Sequence, residues 1–179
     1  MNGTGRKIAI ASVCLVLVVV AVVLVRSNAA DPAADMARAQ HLYEAGDQAG
    51  ALAAYREAAD GGDVNGMYNL GVMYAHGRGN AQDDAEALRW FRRAADAGHT
   101  GAMNNIGVFY GKGRGVERDD AEAARWYRKA ADAGDAKGME NLGNMYEHGR
   151  GVKQDHTEAI RWYRHGAAAG SAECMNGVG

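Results

Sequence analysis

The sequence predicts an all-α solenoid, and three observations carry that expectation. A phrase running from Asn65 to Gly98 returns from Gly101 to Gly134 and again from Lys137 to Gly170. The register holds: Gly71, Gly107, Gly143 and Gly179 are 36 residues apart, as are Trp90, Trp126 and Trp162. The one proline, Pro32, precedes every repeat, so no interior proline breaks a helix. A fixed period of roughly 20–50 residues is the mark of a repeat architecture. A unit this short cannot bury its apolar face alone, so neighbours must stack.

In chain order, residues 1–30 read as a targeting segment. Arg6 and Lys7 precede an unbroken apolar run over residues 8–25. As a helix that run would reach about 27 Å, against a hydrocarbon core of roughly 30 Å. A signal-anchor would keep residues 8–25 as a membrane span. A signal peptide would instead be cut near Ala29 or Ala30, where small residues permit processing. The run exceeds a usual signal-peptide core of about 7–15 residues, and Arg26 follows it directly, which favours the anchor. Either way the basic residues stay inside and the repeats are exported. Ala11-Ser12-Val13-Cys14 is a poor lipidation motif, because Val13 is bulky and the apolar run continues past Cys14.

Residues 31–63 form a shortened first unit, expected as an N-terminal cap: a helix near Ala33–Glu44, a tight turn at Ala45-Gly46, and a helix near Gln48–Asp60. Full repeats follow at 64–99, 100–135 and 136–171, each read as helix A, loop, helix B. Met67, Leu70, Met73 and Tyr74 give the first helix A a core stripe. Gly71 lies on that stripe, where a larger side chain would block close approach. Gly77-Arg78-Gly79 ends helix A, since glycine takes the left-handed conformation cheaply. Asp83-x-x-Glu86, Asp119-x-x-Glu122 and Asp155-x-x-Glu158 have the pattern of a capping box. Helix B is expected to bury Ala87, Leu88, Phe91, Ala94 and Ala95, with the tryptophan stripe also read as core. Residues 172–179 supply a partial capping helix. Cys174 falls at a position that otherwise holds small residues, and reads as a small buried side chain.

Chemistry is sparse. The body after residue 30 has 17 basic against 22 acidic residues, a net −5, which argues against nucleic acid as a partner. His76 and His148 share a repeat position, but Lys112 holds it between them, and no Cys/His cluster has zinc spacing. Asp83-Asp84 and Asp119-Asp120 could suggest acid/base work; capping explains the first of each pair and solvent the second. The few serines lack a nucleophile-elbow context. The Gly-Arg-Gly loops follow a helix and lack the phosphate-loop lysine. No catalytic residue, metal or cofactor is expected.

The recurring pattern N-L-G-x-M-Y, a Gly-x-Gly loop, D-x-x-E-A and W-[FY]-x-x-A-A resembles the Sel-one-like repeat family, a relative of the tetratricopeptide repeats. The resemblance covers Val64 to Gly170 closely and Met36 to Asp63 loosely. It implies a right-handed superhelix of antiparallel helix pairs, and a scaffold or adaptor whose A helices line a concave groove. It also implies export in bacteria: here, a single-pass inner-membrane protein with periplasmic repeats or, after cleavage, a soluble periplasmic or secreted one. Asn69, Asn105 and Asn141 then form a ladder along the groove. Beside them stand Tyr68, Asn104 and Glu140, and one turn on, Val72, Val108 and Asn144. Amides can bind both donors and acceptors of an extended peptide, so the nine are candidate ligand contacts. The asparagines could equally bond between adjacent helices and hold the repeat spacing. A protein or peptide partner is the leading expectation. A cysteine-rich branch of the family is linked to β-lactam binding and hydrolysis, but it carries paired cysteines, whereas Cys174 stands alone in the exported part. An envelope role contacting peptidoglycan is a third reading.

Overall fold

Eight helices of thirteen residues each build the stack, in a computed structural model that describes residues 31–170. They are α1 (Pro32–Glu44), α2 (Gln48–Asp60), α3 (Val64–His76), α4 (Asp84–Asp96), α5 (Thr100–Lys112), α6 (Asp120–Asp132), α7 (Ala136–His148) and α8 (His156–Ala168). Each packs on its neighbours in the chain, and α5 also meets α7. The described residues contain helices and turns only, an all-α solenoid. The apolar run 8–25, Cys174 and the expected capping helix at 172–179 lie outside the described residues. Among those described, no helix is long and apolar enough to cross a membrane.

Local chemistry explains the even lengths. The A helices α3 and α7 start on Asp63 and Asp135, whose carboxylates accept from Gly66 N at 2.7 Å and Gly138 N at 2.6 Å. They satisfy donors that no helical carbonyl can reach. In α5 the cap is His99, accepting through Nδ1 from Ala102 N at 3.1 Å. The A helices end on left-handed glycines, such as Gly77 at φ 63°. The B helices end with the N–H of the residue after glycine returning to the helix, as His99 N does to Ala94 O at 2.9 Å. The first helix begins one residue earlier than expected, because proline at its first position sacrifices only an N–H that would be orphaned anyway.

The capping box forms only in half. Asp83, Asp119 and Asp155 accept from Glu86 N, Glu122 N and Glu158 N at 2.9, 2.9 and 3.0 Å. The return bond is absent because the cap's own N–H is already used: Asp83 N donates to Tyr74 O at 3.0 Å, and Asp119 N to Tyr110 O at 3.0 Å. The glutamates accept from tryptophan instead, Trp90 Nε1 to Glu86 and Trp126 Nε1 to Glu122, both at 3.0 Å. Trp162 breaks the series, its indole N–H buried without a hydrogen-bond partner among the described residues.

Close approach of A to B relies on glycine. A Cβ on Gly107 would stand 2.6 Å from the Tyr127 ring, and one on Gly71 2.8 Å from Phe91. The buried apolar side chains fall into two clusters, one from Ala39 to Phe109 and one from Ala123 to Trp162. Tyr110 packs partly against both.

Candidate functional site

The nine groove candidates all lie on A helices, and all but Asn104 are half-buried. Asn104 is 7% exposed. Its Oδ1 accepts from Asn141 Nδ2 at 2.8 Å, tying α5 to α7. The bond joins residues 37 apart, so the amide ladder steps sideways by one position between these repeats. Tyr68 stacks on the cap residue His99, with ring centroids 4.2 Å apart and planes 11° off parallel. Asn144 Oδ1 accepts from Arg150 Nη2 at 2.6 Å. Asn69 and Val72 line one inter-repeat cleft, and Val108 and Asn141 line another.

These clefts are built by residues that the sequence reading passed over, chiefly the arginines of the Gly-Arg-Gly loops. Each loop rests on the helix B start of the preceding unit. A Cβ on Gly115, itself at φ +63°, would lie 2.5 Å from the Asp84 backbone, and one on Gly151 2.0 Å from Asp120 O. The loop arginine is thereby aimed back along the stack. Arg78 donates to the Tyr43 hydroxyl. Arg114 holds Asp84 with two bonds, Nε to Oδ2 at 3.0 Å and Nη2 to Oδ1 at 2.5 Å, and reaches Ala75 O at 2.8 Å. Its guanidinium also lies 4.6 Å from the Phe109 ring centroid. Asp84 is therefore not simply solvated, as the sequence suggested. Hydrogen bonding from Arg114 holds its carboxyl below the usual range.

The third cleft is wired differently. Arg118 stands where Gln82 stands one repeat earlier, and takes Asp120 with bonds of 3.2 and 2.8 Å. Those bonds lower the Asp120 pKa. Arg150, the counterpart of Arg114, turns to Asn144, which replaces Val108 of the previous repeat. Between α5, α6 and α7 lies a cavity of about 240 Å³, lined among others by Val108, Lys112, Asp120, Tyr127, Asn141 and Arg150. Burial pushes the Tyr127 hydroxyl up to about 12. At the equivalent position Phe91 has no hydroxyl, and Tyr55 has one raised first by burial. The Tyr55 cleft, about 140 Å³, includes Tyr43, Asn69 and Arg78.

Elsewhere the pairings look structural. Arg56, Arg92 and Arg128 each donate to the tyrosine hydroxyl 18 residues on, the Arg92–Tyr110 bond being 2.7 Å. His76 and His148 bond their own helix through Nδ1, at 2.9 and 3.0 Å. Among the described residues no group of three metal-ligating side chains converges. A cavity of about 570 Å³ is lined by α8 residues including Thr157, Ile160 and Arg164, and Ile160 is 43% exposed. Leu88, at the same repeat position, is 3% exposed. That face of α8 is the end of the described stack.

Comparison with known proteins agrees with this architecture. The sequence model of the Sel1 repeat matches three times, at residues 64–99, 100–135 and 136–171. A Sel1 repeat protein from Oxalobacter formigenes is similar in structure, with 34% identity, a TM-score of 0.77, and a match covering 83% of this chain and 62% of that one. The protein c5321, a protective antigen of uropathogenic Escherichia coli with an SLR fold, is similar at 33% identity and TM-score 0.79, covering 86% of this chain and 34% of that one. Cysteine rich protein B of Helicobacter pylori shares the fold at 24% identity and TM-score 0.52, covering 54% of this chain and 74% of that one. The chain thus spans less than two thirds of the first two relatives. No curated protein matches it.

Proposed function

The chain belongs to the Sel1 repeat family, and from that premise we propose that it is an exported, membrane-tethered scaffold binding a protein or peptide through its A-helix face. Sel1 repeats generally mediate protein–protein contacts. The observation that carries the reading is the row of half-buried polar and apolar A-helix positions, Asn69 and Val72, then Asn105 and Val108, then Asn141 and Asn144, recurring every 36 residues across three units. An extended segment crossing the repeats would meet the same kind of surface at each step. Export rests on the apolar run 8–25 behind Arg6 and Lys7. No step of the reading requires catalysis.

Photo-cross-linking in intact cells tests it. A cross-linker replacing Asn105 should capture a discrete partner, and one replacing Arg89, exposed on helix B and paired within its own helix, should not. Capture from position 89 alone would overturn the groove reading. A reporter fused after Gly179 that works only outside the cytoplasm should be active; activity of a cytoplasm-only reporter would overturn export.

A further inference from the structure

The third cleft has a chemical preference of its own. Two cations, Lys112 and Arg150, line it, and the one carboxylate among its walls, Asp120, is hydrogen-bonded by Arg118 and only attracted through space by Arg150. Arg150 uses one N–H on Asn144, and a guanidinium carries five. The Tyr127 hydroxyl is a further donor, kept protonated by burial across the physiological range. Val108 and Met145 supply apolar wall. About 240 Å³ is below the roughly 300–1,000 Å³ of small-molecule sites, and suits a single side chain.

We propose that the cleft between α5 and α7 receives the carboxylate of a glutamate or aspartate side chain from the bound peptide, its methylenes against Val108 and Met145 and its charge between Lys112 and Arg150. The proposal rests on the A-helix groove being peptide-binding. It makes this cleft the acid-selective position of the groove. The middle cleft cannot play the part, because Asp84 occupies Arg114.

The test uses the purified full chain in detergent and the capped peptides acetyl-Ala-Ala-Xaa-Ala-Ala-amide, with Xaa as Glu, Gln or phosphoserine, followed by nitrogen-15 NMR. The Glu peptide should shift the Gly111 amide and the Asn141 side chain saturably, at least fivefold more tightly than the Gln peptide. Two variants then probe the wiring. Arg118→Gln removes the partner that holds Asp120 within its own repeat, leaves Asp120 to Arg150, and should weaken the Glu peptide at least fivefold while sparing the Gln peptide. Gly111→Ala narrows the cavity without a clash, its methyl lying 3.6 Å from Ala123 Cβ and 4.0 Å from the Tyr127 hydroxyl. It should weaken the Glu peptide with the melting temperature unchanged or raised. Equal affinity for Glu and Gln, tighter binding of phosphoserine, or indifference to both variants would overturn the carboxylate assignment. Glu and Gln peptides that alike shift Asn69, Asn105 and Asn141 would keep the groove and remove its acid preference. Absence of shifts along the A helices with every peptide would remove both.

Discussion

The middle and third clefts share a backbone plan and differ in who holds the aspartate at the start of helix B. In the middle cleft Arg114 crosses the repeat boundary to Asp84, while Gln82 adds a single neutral bond at 3.2 Å. In the third, Arg118 captures Asp120 from within its own repeat, and Arg150 falls back on Asn144. A repeat protein can therefore keep its stacking while altering one cleft through side chains that hardly touch the core. The two charge-assisted bonds to Asp84 act as a clasp between units; in the third cleft the equivalent bonds are made within one repeat.

The comparison breaks most severely at the shared backbone. Gly115→Val and Gly151→Val should each cost about 3 kcal/mol or more, since both glycines have positive φ and press on the preceding helix. Equal losses in urea unfolding would show that the two loops are seated alike. A loss at only one would put the difference in the backbone instead of the arginines.

The cleft floors differ next. Tyr127 has a raised pKa, so its neutral form is favoured in the folded state. That stabilisation is complete below pH 10 and disappears as pH rises towards about 12. Over that window the wild type should lose roughly 1–3 kcal/mol more than Tyr127→Phe, whose floor then matches Phe91. Parallel alkaline profiles for the two proteins would contradict a buried hydroxyl.

A smaller contrast concerns α5, the helix common to both clefts. Its cap His99 accepts an N–H through a neutral ring nitrogen, and burial is the main cause lowering its pKa below 6.5. A lowered folded pKa gives stability that is present above pH 6.5 and lost as pH falls through the folded value. His99→Asn keeps a capping acceptor and should flatten the stability profile below pH 6.5, by up to about 1 kcal/mol. An unchanged acid profile would show that His99 is not the titrating cap.

Much of this fold was legible in the sequence because its determinants recur at one spacing. Gly71 and Gly107 were readable as close-approach sites, Gly77 as a helix stop, and Asp83 as a cap, since each acts within a few residues of itself. The clefts were not legible. Asp84 looked solvated because its partner lies 30 residues on, across a repeat boundary. The amide ladder looked aligned at 36-residue steps, but stacking offsets α7 against α5, so Asn141 meets Asn104 and not Asn105. The Trp90–Glu86 bond was recoverable, being an i,i+4 pair on one helix face.

Paired double-mutant cycles test the central claim most directly. Coupling between Asp84 and Arg114, from their single and double alanine variants, should be about 1–2 kcal/mol. Coupling between Asp120 and Arg150 should be smaller, below about 0.5 kcal/mol, a through-space attraction without a hydrogen bond. In the background of Arg118→Gln with Asn144→Val, the second coupling should rise towards the first. Equal couplings in the wild-type background, or no rise in the altered one, would contradict the account that the two clefts differ in which arginine holds the aspartate.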